Sequence, residues 1–449
     1  MSTFSFTPDQ LRQLATDVLQ HARQGGASAC ETDVSEGFGQ SVTVRKGEVE
    51  TIEFNRDKGI GISVYLGQQR GHASTSDFSP ASIKATVDAA LSIARFTAAD
   101  PCAGLPAPEL LAKNVADIDL DLYHPWPLPV EDAIALARRS EQAAFAVSPL
   151  ISNSEGASVS AHAAHFISAN SLGFMGGYPS TRHYISCVPI ASKGKDMQRD
   201  DWYSGRRDPA DLAAPELIGD YAARRTLSRL GAKKLKTRQC KVMFEAPLAA
   251  TLLGSFVHAV SGGSLYRKAS FLLDALGQRI FPDWFSIEER PHLTKGLASS
   301  LFDDDGVATR DRTVVANGVL QGYFLSTYTA RKLDMQTTGN AGGSHNLIVA
   351  PRPDAPANFA GLLRQMGTGL LVTELLGHGI NYVTGDYSRG AVGYWVEGGE
   401  IAYPVHEITI AGNLREMFAG IETVGRDSVT RGSRTVGSIV VNRMTVAGN

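Results

Sequence analysis

A chain of 449 residues, 43% hydrophobic and 20% charged, is too long for one hydrophobic core and too apolar for disorder, so two globular domains are expected. A formal net charge of −3 gives no long-range pull on phosphate backbones, and no run of Lys and Arg interleaved with aromatics creates a local one, which argues against direct nucleic-acid binding. The cysteines Cys30, Cys102, Cys187 and Cys240 form no Cys-x-x-Cys pair, no apolar run reaches the ~20 residues of a membrane span, and MSTFSFTPDQ lacks the features of a signal peptide, so a reducing cytoplasm is the expected location.

Thr7-Pro8-Asp9-Gln10 predicts a helix start, with Thr7 as cap, Pro8 in the first turn and Gln10 reaching back to the cap amide. Leu11, Leu14, Ala15, Val18, Leu19 and Ala22 continue at helical spacing until Gly25-Gly26. From Ala29 the period becomes two, and turns at Lys46-Gly47 and Gly67-Gln68 predict an antiparallel meander. Ser79-Pro80 opens a second helix, and a Pro-rich passage separates it from a third over 130–147. Strand-like segments fill 151–203, and a helical region runs from Asp208-Pro209 to about Leu230. The basic stretch from Arg224-Arg225 to Lys236 reads as a solvated helix face or linker, and GAKKLKTRQC marks the expected boundary between domains 1–231 and 232–449.

Beyond it, 240–244 is predicted as a strand and 246–260 as a helix with Leu248, Leu252 and Phe256 at four-residue spacing, stopped by Gly262-Gly263. Asn317-Gly318 and Glu397-Gly398-Gly399-Glu400 are hairpin signals, and short helices are expected at 358–367 and 414–418. The mixture without a regular βαβ rhythm gives the α+β class, a helix and antiparallel-sheet domain followed by a β-rich one.

No self-sufficient catalytic constellation emerges. His-Glu-x-x-His, which would put two imidazoles and a base on one helix, is absent, and His406-Glu407 sits in strand-like alternation. His162 and His165 are an odd number of residues apart in a predicted strand, hence on opposite faces. Asp303-Asp304-Asp305 lacks the alternating ligands of a calcium loop and reads as an Asp/Gly turn. The glycine clusters around Gly339, Gly342 and Gly343, and around Gly377, carry neither a Walker lysine nor a dinucleotide fingerprint.

The strings DPCAG, ARRTLSRL, GGSLYRKASFLLDALG, PDWFSIEERPHLTKGLASS, TGNAGGSHN, TGDYSRGAVGYWVEGGEIAYPVHEITIAGNL and TVAGN resemble the TldD/PmbA family, most closely its PmbA (TldE) branch. The resemblance implies an N-terminal α/β-type domain, a β-rich C-terminal domain, and a heterodimeric zinc metallopeptidase in which a TldD-type subunit carries the metal. In that subunit the motif is His-Glu-x-x-x-His, with a cysteine near the C-terminus as third ligand. Matching the Arg-Lys after the motif to Arg267-Lys268 puts Gly254 at the first His, Ser255 at the Glu and Ala259 at the second His, and no cysteine follows Cys240. The resemblance therefore implies no metal in this chain, zinc in the partner, and an unfolded or extended peptide as substrate. His258, Gly339, Gly342, Gly343, His345, Gly377, His378, Asp386, Tyr387 and Arg389 are candidate peptide or partner contacts. Two other readings stand beside this one: a self-contained hydrolase using His258, His292, His345, His378 or His406, and a non-catalytic regulatory protein. A homodimer is open to the chain when no partner is present.

Overall fold

The computed structural model describes residues 4–115 and 118–448. Helix α1 (Pro8–Gln24) begins with the predicted box: Thr7 Oγ1 accepts from the Gln10 amide, and Gln10 Oε1 accepts from the Thr7 amide at 2.7 Å. Its buried stripe, Leu11, Ala15, Val18 and Ala22, packs with α2 (Pro80–Phe96) on Val34, Ile60, Ile62, Val64 and Ile167. Helices α3 (Val130–Val147) and α4 (Pro215–Ser228) cover Val42, Val44, Val159, Ile185 and Cys187 farther along the same sheet.

Among the described residues that sheet has eight strands, and its main path runs Gln69–Thr75, Glu48–Leu66, Ala29–Arg45, Ile151–Asn170, Pro179–Lys193, Asp196–Arg199. Side chains alternate across each strand, so the residues of Ala29–Arg45 that face the helices are even-numbered. The odd-numbered Glu31 and Asp33 turn to the other side, toward the second half of the chain. That far face is joined to the second half by Phe166 and Tyr178, whose rings each lie 5.9 Å from Phe302, and by a 2.7 Å bond between the Tyr178 and Ser300 hydroxyls. His162 and His165 do fall on opposite faces: buried His165 meets Glu36 at 3.4 Å, while His162 lies over Gly39.

The second half carries a six-stranded and a seven-stranded sheet among the described residues. In the latter, Gly369–Leu376 pairs in parallel with Arg238–Phe244 and antiparallel with Asp386–Glu397, so the path through Ile439–Ala447 and Glu400–Asn413 closes on itself. Closure leaves fewer free edges. The two predicted hairpins form with positive φ at both central residues, Asn317 and Gly318 in one and Gly398 and Gly399 in the other, as a type I′ turn requires. Helices α5 (Ala246–Ala259), α6 (Gly262–Tyr266), α7 (Thr327–Lys332), α8 (Phe359–Met366) and α9 (Leu414–Ala419) pack around these sheets. Phe244, Phe256, Phe281, Phe285 and Phe418 are among the largest fully buried side chains.

Two expectations need correction. Helix α5 does end at Ala259, close to the expected 260, but Gly262-Gly263 open a further helical turn instead of serving as the stop: extended Ser261 caps the amide of Ser264 with its Oγ and α6 begins at Gly262. Gly262 lies inside that turn because a Cβ there would come within 2.2 Å of Thr329 Oγ1. The basic stretch is not wholly solvated either. Arg225 and Arg229 have side chains only 13% and 3% exposed, and they bridge the halves: Arg225 pairs with Asp200 at 3.0 Å and Glu245 at 2.6 Å, and Arg229 with Asp200 at 2.8 Å and with Glu374. Spacing alone could not reveal this, because their acidic partners lie on other elements.

Candidate functional site

Helix α5 forms because Ala, Leu and Phe recur through it and Pro247 occupies its first turn, where a missing N–H does no harm. Leu252, Leu253 and Phe256 are buried at 0–2% exposure, each worth roughly 1.5–3 kcal/mol of apolar transfer, so the helix is held rigidly in the core. Of the positions matched to metal ligands, Ser255 is buried with its hydroxyl donated to the Thr251 carbonyl at 3.3 Å, and Ala259 is fully buried. Gly254 faces Arg434: a Cβ there would lie 3.1 Å from Nη1, 3.4 Å from Cζ and 3.5 Å from Nη2.

Hydrogen, a hydroxymethyl group engaged with its own helix, and a methyl offer no donor set for zinc, and a guanidinium over the first position opposes a second cation. The residues present do not fit the metal. Among the described residues, moreover, no three His, Cys, Asp or Glu side chains come together so as to hold a metal ion. The histidines of the self-contained reading are engaged one by one or exposed: His292 with Thr309 Oγ1 at 2.9 Å, His345 with the Gly339 carbonyl at 2.9 Å, His406 half-buried in the strand Glu400–Asn413, and His378 on an exposed tip.

The candidate contact residues separate into two groups. One gathers at the exposed end of α5. His258 is exposed, with its ring centroid 3.9 Å from that of Tyr382; partial burial and the nearby Arg267 lower its pKa. The hairpin bearing Tyr382 includes Ile380–Asn381 and Asp386–Glu397 and so brings in Gly377, His378, Asp386, Tyr387 and Arg389. Gly379 must lack a side chain here, since a Cβ would fall 1.9 Å from the Ser388 carbonyl oxygen; its own carbonyl accepts from the Ser388 amide at 2.7 Å. Asp386 is exposed and accepts from Thr384 Oγ1 at 2.6 Å, whereas Tyr387 is 2% exposed.

The second group is the loop of Gly339, Gly342, Gly343 and His345, with φ of 72°, 93° and 121° at the three glycines. It is tied to Glu289, a carboxylate 1% exposed, whose Oε1 accepts from Asn340 Nδ2 at 2.8 Å and the His345 amide at 2.7 Å, while Arg312 Nε binds Oε2 at 2.6 Å. A Cβ at Gly342 would meet Asp304 Oδ2 at 2.4 Å, so the acidic triplet and the glycine loop are two sides of one knot. The triplet is thus more than an Asp/Gly turn. Asp303 is 3% exposed and accepts the amides of Asp305, Val307 and Ala341 at 3.0, 2.9 and 2.9 Å.

Burial, reinforced by Asp305, pushes the Asp303 carboxyl up to about 7 against the lowering pull of those amides. The folded chain then binds this proton more tightly than the unfolded chain does. Stability from the group is complete below the ordinary carboxyl value and is lost as pH rises from about 4 to about 7. Carboxyl-carbon NMR should place the Asp303 midpoint near 7; a midpoint near 4 would contradict this.

Sequence reasoning missed Tyr382 and Arg434 as members of the first group. The one signal available was Gly254 itself, a side-chain-free position on a buried helix, which often means that another group occupies the space.

Family models match most of the chain. Residues 30–94 match domain 1, 123–230 the central domain and 237–448 the C-terminal domain of the PmbA/TldA metallopeptidases. Metalloprotease PmbA of Escherichia coli O157:H7 is 49% identical over 438 residues, covering 98% of this chain and 96% of that protein. A PmbA homologue of Haemophilus influenzae is 46% identical, with 98% and 96% covered. Among solved structures, a Bacteroides thetaiotaomicron protein named as a candidate modulator of DNA gyrase superposes with a TM-score of 0.92 at 26% identity, covering 99% of this chain and all of that one. TldE of Thermococcus kodakarensis shares the fold at a TM-score of 0.81 and 18% identity, with 97% and 100% covered.

Proposed function

Because this chain belongs to the PmbA/TldD metallopeptidase family, on its PmbA branch, we propose that it is the metal-free subunit of a two-subunit peptidase, holding an extended peptide while a TldD-type partner supplies zinc and cleaves. What supports this reading is that Gly254, Ser255 and Ala259 of α5, the positions that the resemblance matches to the partner's metal-binding motif, carry no donor side chain for zinc, and that Arg434 lies against Gly254. What the chain contributes is binding and enclosure. Strand Ile380–Asn381 ends the seven-stranded path, and an extended peptide can add to such an edge through backbone hydrogen bonds that depend little on its side chains. That mode suits substrates that are already unfolded, in the cytoplasm. Among the described residues no helix is long and apolar enough to cross a membrane.

The test is purified chain assayed alone and mixed with a subunit bearing His-Glu-x-x-x-His. Bound zinc and hydrolysis of a denatured protein should appear only in the mixture. Stoichiometric zinc held by this chain's own side chains, with comparable cleavage by the chain alone, would overturn the proposal.

A further inference from the structure

The helix face that lacks metal donors holds a cation of its own. Arg434, on the strand Arg434–Val436, lays its guanidinium against Gly254, with Nη1 3.5 Å from the Ala250 carbonyl. Its Nε is buried with no hydrogen-bond partner, and no carboxylate of the described residues forms an ion pair with it. On the strand Asp386–Glu397 Arg389 Nε is likewise buried with no hydrogen-bond partner, and the buried Tyr387 hydroxyl, without a hydrogen bond of normal geometry, lies toward the Arg389 guanidinium. Tyr382 stands between the two places: its ring lies 3.9 Å from that of His258, one helical turn beyond Gly254, and it directly follows the strand Ile380–Asn381, which pairs with Tyr387 and Asp386.

Partly burying a cation without an anion is costly, as is leaving a buried N–H unpaired. Two arginines, each with a buried unpartnered Nε, stand on either side of Tyr382 with no ion pair to an acid among the described residues, which describes a site that is complete only when a ligand brings the acid. A guanidinium offers a planar fork of N–H donors that matches a carboxylate. We propose that Arg434, with Arg389 and Tyr387, is a carboxylate-binding site whose ligand is a carboxylate of the bound peptide, at its free C-terminus or on an acidic side chain. The positive charge that the partner would provide with a metal is here provided by a fixed arginine, which anchors the peptide instead of cleaving it. This rests on the peptide-holding role proposed above.

Fluorescence anisotropy with the full chain and three labelled Ala/Ser/Gly hexapeptides tests it: a free acid without acidic side chains, its C-terminal amide, and the amide carrying one Glu. At least one carboxylate form should bind about tenfold tighter than the uncharged amide, and which form does so identifies the source. Arg434→Gln should abolish the difference and Arg434→Lys should retain part of it. Equal binding of all three peptides, binding of none, or discrimination that survives R434Q would overturn the inference. Arg434→Met separates out a structural role: its unfolding midpoint should equal or exceed that of the wild type, because the variant removes a partly buried charge that has no anion, and a large loss would also refute the proposal. Carboxylate discrimination without any cleavage in the two-subunit mixture would sink the peptidase reading and leave this site standing. Cleavage indifferent to the carboxylate would do the reverse.

Discussion

Replacing Glu289 with alanine is expected to cost about 3–5 kcal/mol of stability and to release the loop around residues 339–345. The carboxylate is 1% exposed and receives Arg312 Nε, Asn340 Nδ2 and the His345 amide. Arg312, with a side chain 13% exposed, would keep only the Tyr323 carbonyl at 2.8 Å, Asn340 Oδ1 at 3.0 Å and the Phe324 ring at 5.0 Å. Removing one member of a buried ion pair leaves the other charged and unsolvated, which is worse than removing both. Glu289→Gln keeps the shape and one carbonyl acceptor, so its loss should be smaller. Denaturant unfolding gives the magnitude, and limited proteolysis should show cutting within the glycine loop of E289A alone. A loss below about 1 kcal/mol would mean that the knot does not hold the loop.

Arg225→Ala should loosen the two halves of the chain from each other and lower stability by about 3–5 kcal/mol. Arg225 stands between Asp200 of the first half and Glu245, the cap residue of α5, with a bidentate contact to the latter at 2.6 and 3.0 Å. Its guanidinium also lies 5.3 Å from the centroid of the Trp202 ring. Without it, Glu245 loses its cation and Asp200 keeps only Arg229. Calorimetry should show the variant's transition broadening or dividing as the halves uncouple. The double variant R225A/E245A should lose less than the sum of the single losses, since the two residues share one interaction. One sharp transition at the wild-type temperature would contradict the expectation. Because Glu245 sets the start of α5, this bridge also fixes the orientation of the helix that carries Gly254 and His258.

What could be read from the residues alone was local or a matter of identity. The Thr7 capping box, the turns at Asn317-Gly318 and Gly398-Gly399, and the apolar spacing of α5 are decided within a few residues by sterics and hydrogen bonding, so they are visible in the string. The identities at Gly254, Ser255 and Ala259, which the resemblance matches to metal ligands, are also plain in the string: none is a His, Cys or carboxylate. The tertiary structure alone decided what stands in the space they leave. Arg434 reaches α5 from 184 residues beyond Ala250, the acidic triplet reaches the glycine loop across 38, and the arginines of a seemingly solvated stretch find acids on other elements. Such meetings depend on strand pairing and on which face of each sheet is buried, and no local periodicity encodes them.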